Sequence, residues 1–354
     1  MIDCRSGSHY PVSGLTIGKS SPAGTDCSGR TCTQICSGQG EKTELPEEGV
    51  HKEDSAMKYV RYRTADGGSY TGILSRDEKI ISLGQLNPEG MGLDMISIML
   101  LLQDDPDMEK TLRTAAGENA DGTGIPLDQV QLLAPIERPL HDVICVGVNY
   151  ADHLRETKES FDKNFVEPPA AVYFSKRANR ITGSGETVRG IFETDSCLDY
   201  EVELAVIIGK GGKNIPRENA AEHIFGYSVF NDLSSRTLQA RHNQWYLGKS
   251  PDGYTAMGPW IVSADEIAWP PRLDVKSYVN GELRQNSNTQ YFIHSIAEMI
   301  EDLSACFELE CGDIIATGTP SGVGMGFHPP RYLKTGDEVI CEISEIGSLC
   351  NPVI

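Results

Sequence analysis

The chain has 354 residues, 39% of them hydrophobic and 23% charged, enough for one large globular domain or two smaller ones. Its formal net charge of −20 argues against nucleic acid or an anionic membrane surface as a partner, because both require basic surface. The best apolar run, residues 95–102, is far too short to span a bilayer. A small anionic substrate is still compatible, because one bound metal ion inverts the local field.

Residues 1–56 are rich in Ser, Gly, Thr and Cys and lack apolar periodicity, which predicts disorder or poor order. They show neither the basic start nor the apolar core of a signal peptide. Lys52-Glu53-Asp54 can be encoded as AAG GAG GAY, a bacterial ribosome-binding sequence a short spacer before Met57. On that reading Met57 starts the protein and the upstream residues are untranslated sequence read in frame. The alternative is a genuine unstructured extension. Of the 10 cysteines, Cys4, Cys27, Cys32 and Cys36 lie in this segment, and a zinc site from Cys27, Cys32 and Cys36 matches no familiar ligand spacing. The others stand singly, mostly in apolar runs, as Cys145, Cys306 and Cys341 do. They predict buried free thiols in a reducing cytoplasm.

Order begins at Met57. Residues 59–62 and 70–74 read as strands joined by Asp66-Gly67-Gly68, a hairpin signal. A strand at 80–83 and helices near 95–103 and 108–116 follow, so 57–140 reads as a small N-terminal α+β domain and its connector. From 141 to 354 strands are predicted at 143–147, 171–174, 198–208, 226–230, 260–262, 275–285, 313–317 and 338–343. Asn280-Gly281 is a strong two-residue hairpin turn. Helices are expected after the N-cap candidates Ser234-Ser235 and over 293–307. Strands outnumber helices without regular βαβ alternation, which predicts an α+β, mainly β fold.

The strand Asp199-Tyr-Glu-Val-Glu-Leu-Ala-Val-Ile-Ile-Gly-Lys210 carries the strongest chemical signal. Leu198, Tyr200, Val202, Leu204, Val206 and Ile208 form one apolar face. Glu201 and Glu203 share the other face, which continues as Ala205 and Ile207. Two carboxylates side by side repel unless a cation lies between them. Asp232, ending Gly226-Tyr-Ser-Val-Phe-Asn-Asp232, supplies a third oxygen ligand, and three carboxylates suit magnesium or manganese. On spacing alone the same alternation also describes a solvated outer face.

From Val143 onward the chain resembles the fumarylacetoacetate hydrolase (FAH) superfamily. The resemblance rests on Cys145-Val-Gly-Val-Asn-Tyr-Ala-Asp-His-Leu-Arg-Glu156, Asp199 to Lys210, Gly226 to Gln239, Gly248-Lys-Ser250, Met257-Gly-Pro-Trp260, Val279-Asn-Gly-Glu-Leu-Arg-Gln285 and Gly312-Asp-Ile-Ile-Ala-Thr-Gly-Thr-Pro-Ser-Gly-Val-Gly324. These strings occur in the family's order, and residues 57–140 look like the small N-terminal domain of its longer bacterial members. The resemblance implies an FAH-type β-roll catalytic domain over 141–354, a homodimer, and one divalent metal per subunit. It implies metal ligation by Glu201, Glu203 and Asp232, with Lys249 beside the metal. It further implies a catalytic dyad of His153 and Glu156, and a substrate-carboxylate contact from Thr319. Val148 stands where many members carry Arg, which weakens the grip expected on an anionic substrate end.

The chemistry of these residues fits a 2-oxo acid. His153 and Glu156, three apart, share a helix face if Asp152 caps a helix, and a carboxylate on one ring nitrogen raises the basicity of the other. The bland alternatives are a polar surface helix and, for Lys249, a surface lysine. Residues 157–164 read as a lid or an exposed loop. The loop 318–324 is no nucleotide-binding loop, since no Lys-Ser/Thr follows it; its small residues let backbone N–H groups approach a carboxylate. The expected activity is oxaloacetate decarboxylation or keto–enol tautomerisation with magnesium or manganese. Hydrolysis of an acylpyruvate, or isomerisation of a 2-hydroxy-diene-dioate, is the alternative enzyme reading. A non-catalytic 2-oxo acid binding protein is the alternative of another class.

Overall fold

The structure, a computed structural model, describes residues 56–86, 92–117, 124–160, 169–242 and 244–354. The expectations placed on residues 1–55, disorder and the zinc alternative among them, lie outside these residues, as does the second half of the expected lid, 161–164.

An 11-stranded sheet organises the described chain. From one edge it runs Ile125–Pro126, Lys79–Ser82, Ser69–Leu74, Lys58–Arg63, Thr255–Ser263, Ile224–Asp232, Val202–Ile208, Ile314–Ala316, Val143–Gly147 and Val172–Lys176. Gln131–Leu133 pairs with Lys58–Arg63 beside this path. Pairing is antiparallel except between Ile314–Ala316 and Val143–Gly147. The region 57–140 joins the same sheet as the region that follows it, through Lys58 opposite Val262 and Tyr59 opposite Ile261. A 4-stranded sheet of Glu282–Asn288, Asp274–Val279, Glu338–Ile343 and Gly347–Pro352 packs on one side. Its hairpin turns at Asn280 (φ 51°) and Gly281 (φ 78°), the successive left-handed residues that a two-residue turn requires.

Period-two alternation along Val202–Ile208 feeds two cores. Val202, Leu204, Val206 and Ile208 pack with Val275, Val339 and Leu349 of the smaller sheet and with Met299 and Leu303 of the helix Ile296–Cys306. Ala205 and Ile207 pack on the opposite side with Met95, Ile98 and Met99 of Met95–Asp104 and Leu112 of Pro106–Gly117. With both faces covered, truncating Leu204 to Ala would cost about 2–5 kcal/mol. Helix starts follow their caps: Ser295 and Glu298 form a capping box, and Ser235 caps Arg236–Arg241.

Two local differences from the sequence pattern have physical causes. The strand expected over 198–208 is interrupted, with Leu198–Asp199 pairing Ser234–Ser235 and the main strand starting at Val202. Across the break side chains replace ladder partners: Glu201 N donates to Asn231 Oδ1 at 3.0 Å and Val202 N to Gln285 Oε1 at 3.1 Å. Cys145 and Cys341 are buried free thiols and Cys350 is buried, but Cys306 is exposed. It is the last residue of its helix, where the packed face runs out.

Candidate active site

Glu201, Glu203 and Asp232 meet on one sheet face because of register. Positions 201 and 203 share a face by alternation, and Phe230 pairs with Glu203 on the neighbouring antiparallel strand. Asp232 N donates to Glu201 O at 2.9 Å, which sets Asp232 opposite Glu201. One carboxylate oxygen from each of the three lies within 4.8 Å of the others. All are buried, at 5%, 2% and 0% exposure, which rules out the solvated-face reading.

Buried cations partly balance these acids. Lys249 Nζ lies 2.7 Å from both Glu201 Oε2 and Asp232 Oδ2. Arg236 bonds Asp199 Oδ2 at 2.9 Å, Glu201 Oε1 at 2.6 Å and Gln239 Oε1 at 2.9 Å. Lys176, fully buried, sits 2.7 Å from Asp232 Oδ1 without hydrogen-bond alignment, while donating to Leu233 O at 2.9 Å and to Lys249 O. Among the described residues Glu203 has no cationic partner; it accepts Gly318 N at 2.8 Å. Burial, then the charges of Asp232 and Glu201, push the Glu203 carboxyl well up. Burial would also raise Glu201, but Lys249 and Arg236 outweigh it and bring that carboxyl down to about 2. Burial works against the Lys249 ammonium, yet Asp232 and Glu201 hold it above the ordinary lysine range. For Lys176 burial prevails and lowers it.

A hard divalent cation fits this donor set. All three donors are carboxylate oxygens, Asp232 Oδ1 is buried without accepting a hydrogen bond, and Glu203 is an acid that no side-chain cation neutralises. Lys249 Nζ lies between Glu201 and Asp232, so an ion there and the ammonium draw on the same oxygens.

The loop after Ile314–Ala316 ties three acids to backbone N–H groups. Gly318 N reaches Glu203, Gly322 N reaches Glu156 Oε1 at 2.8 Å, and Gly324 N and Met325 N reach Asp199 at 2.6 and 3.0 Å. The small residues thus bring N–H groups to the protein's own carboxylates. Gly318 is required twice over: its φ is +92°, and a Cβ there would stand 2.8 Å from Asn149 Cβ.

His153 and Glu156 lie on the helix Ala151–Ser160, with His153 Nδ1 2.9 Å from Glu156 Oε2. The carboxylate only accepts, so Nδ1 carries the proton and Nε2 is the basic nitrogen. Asp152 lies within the first turn, not ahead of it, and accepts Ser321 Oγ at 2.8 Å, which fastens the helix to the glycine loop.

A cavity of about 210 Å³ brings His153, Glu201, Glu203, Lys249 and Thr319 to one surface. Val146, Val148, Phe174, Trp245 and Met325 add apolar lining. Thr157, at the start of the expected lid, also lines it. The Thr319 hydroxyl is committed within the protein, donating to Val202 O at 2.9 Å and accepting Gln285 Nε2 at 2.7 Å. Sequence reasoning assigned no role to Asp199, Arg236 or Lys176. The legible signal for Lys176 is a lysine closing the strand Val172–Lys176 beside an apolar run.

The fold and this site define a β-rich enzyme class built around a buried cluster of three carboxylates. A family model described as fumarylacetoacetate (FAA) hydrolase C-terminal matches residues 142–354. Oxaloacetate tautomerase YisK of Bacillus subtilis (strain 168) is 41% identical over 292 residues, covering 80% of this chain and 96% of that protein. Among solved structures, a fumarylacetoacetate hydrolase from psychrophilic Exiguobacterium antarcticum matches with TM-score 0.70 and 34% identity over 84% of this chain and 99% of its own. A maleylpyruvate hydrolase from Sphingobium sp. SYK-6, solved with manganese (II) ion and pyruvate, matches with TM-score 0.66 and 28% identity over 84% and 99%. The chain belongs to the fumarylacetoacetate hydrolase family.

Proposed function

We propose that this protein interconverts the keto and enol forms of oxaloacetate, with a divalent cation held by Glu201, Glu203 and Asp232. The observation that carries the reading is that His153, backed by Glu156, shares one cavity with Glu201 and Glu203 of the three-carboxylate cluster, in a chain 41% identical to an oxaloacetate tautomerase over 292 residues. Magnesium is the ion we assign, with manganese as its substitute. A cytoplasmic homodimer acting on a free small-molecule substrate completes the reading.

When bound, the ion supplies Lewis-acid polarisation of a 2-oxo carbonyl. The protein's residues handle the proton. Glu156 fixes the His153 tautomer, and Nε2 removes a proton from C3 of the keto form. The His153 imidazolium then gives that proton up to the C2 oxygen, which completes the enol and restores the base, and the reverse sequence restores the ketone. Lys249 uses two of its N–H groups on Glu201 and Asp232, leaving the third for a substrate oxygen. With the Thr319 hydroxyl committed to Val202 O, contact with the substrate carboxylate falls to the Thr319 backbone N–H.

The test follows the ultraviolet absorbance of enol-oxaloacetate with added magnesium, for the wild type and His153→Ala, with pyruvate release measured in parallel. Wild-type acceleration that is lost in the variant supports the reading; equal rates contradict it. Pyruvate release at the rate of enol loss would move the assignment to decarboxylation. The apolar wall of Val148, Phe174 and Trp245 favours one second reading, C–C hydrolysis of an acylpyruvate with an uncharged tail. Acetopyruvate cleavage faster than oxaloacetate turnover would select it.

A further inference from the structure

A second cavity, about 540 Å³, opens at the far end of the strand that carries Asp232. Ile224, Phe225 and Tyr227 line it, while Asp232 lies five residues beyond Tyr227, about 16 Å along an extended chain. Its volume is typical of sites for small organic molecules, and none of the catalytic residues borders it.

Two features mark it as built to receive a ligand. Tyr59 and Tyr227 are each 1% exposed and line the cavity, yet neither hydroxyl has a hydrogen-bond partner among the described residues. Neither oxygen is among the fully buried atoms that lack a partner, so each otherwise buried ring keeps its hydroxyl open to solvent, where a ligand can reach it. Their setting is otherwise well packed: the Tyr59 and Phe225 ring centroids are 4.8 Å apart, and Met99, Leu102 and Ile267 supply apolar surface. The edge is charged in one sense. Glu109 and Asp265 line it, and the single Arg113 guanidinium serves Glu109 at 2.8 Å, Asp265 at 2.7 Å and Glu266 at 2.8 Å. Three carboxylates on one guanidinium leave an excess of negative charge beside an apolar, aromatic-lined space. Trp269, 41% exposed, stands at the same cavity.

We infer that this cavity is a second binding site, selective for a small amphipathic amine. The apolar body lies on Met99, Leu102 and Phe225, a polar atom pairs with the Tyr59 or Tyr227 hydroxyl, and the ammonium faces Glu109 and Asp265. This site is independent of the oxaloacetate reading, since it shares no residue with the catalytic cavity.

Tyramine is the probe and 4-hydroxyphenylacetate its anionic counterpart, with the same ring and hydroxyl but opposite charge. Calorimetric titration of the full-length protein should show one tyramine bound per chain. The acid should bind at least tenfold more weakly. Asp265→Asn should weaken tyramine severalfold, and the Tyr59→Phe, Tyr227→Phe pair should do the same. Ala264→Trp, which pushes an indole into the cavity beside Asp265, should weaken tyramine binding at least tenfold while the magnesium-dependent rise in melting temperature persists, showing an intact fold. Absence of saturable heat with wild type up to the solubility limit overturns the inference. So does equal affinity for the amine and the acid, or tyramine affinity unchanged in folded Ala264→Trp. If Ala264→Trp does not fold, the amine-to-acid ratio in the wild type decides alone.

Discussion

Lys249→Met probes the electrostatic design of the catalytic centre most fully. In the metal-free protein the Lys249 ammonium is buried, at 2% exposure, and neutralises Glu201 and Asp232 at 2.7 Å each. Removing one partner of a buried pair costs about 3–5 kcal/mol, because a charge is left uncompensated. Here two carboxylates lose their shared cation, and each is left with one, Glu201 with Arg236 at 2.6 Å and Asp232 with Lys176 at 2.7 Å. For a fold of roughly 300 residues, 1 kcal/mol corresponds to about 1.6 °C, so the melting temperature in EDTA should fall by about 5–8 °C. A divalent ion draws on the same oxygens. Magnesium should therefore restore most of that loss, and its stabilising shift should be larger in Lys249→Met than in the wild type. Scanning fluorimetry with EDTA and with a magnesium series measures both. A shift equal to or smaller than that of the wild type would refute the idea that ammonium and ion share these carboxylates.

Other expectations follow from the same geometry. Glu156→Gln should lower kcat by about 10²–10⁴-fold through loss of the oriented base, with magnesium affinity unchanged by calorimetry. Because the Glu203 carboxyl is raised in the fold, its contribution in metal-free protein is present at low pH and lost as pH rises through its folded value. Glu203→Gln should accordingly be more stable than wild type in EDTA at alkaline pH by urea unfolding, yet gain nothing from magnesium. Glu201 is held down to about 2, so its contribution is present above the ordinary glutamate range, about 4.3, and disappears as pH falls toward 2. Glu201→Gln should flatten that acid limb of the unfolding profile. Gly318→Ala, forced into a left-handed φ of +92° against Asn149, should cost about 1–3 kcal/mol and lower kcat with it.

Much of the site was legible because its residues obey local periods. Alternation placed Glu201 with Glu203, and the three-residue spacing placed His153 with Glu156 on one helix face. The sheet register that sets Asp232 opposite Glu201 is a long-range fact, foreseen only as a third ligand of suitable type. The neutralising shell was illegible for the same reason. Arg236 reaches Asp199 and Glu201 across 37 and 35 residues, and Lys176 meets Asp232 across 56, so no local pattern links them. The break before Val202 depends on Asn231 and Gln285 side chains substituting for ladder partners, which periodicity cannot reveal. Likewise the glycine loop was legible as a carboxylate cradle, but that the carboxylates are Glu203, Glu156 and Asp199 emerges only from the fold.

The central claim is a single divalent ion held by Glu201, Glu203 and Asp232. Manganese titration followed by the electron paramagnetic resonance of the free ion tests it directly. Wild type should take up one manganese per chain, displaced by excess magnesium, and Asp232→Asn should take up none at the same concentrations. Equal uptake by folded Asp232→Asn, or none by the wild type, would contradict it.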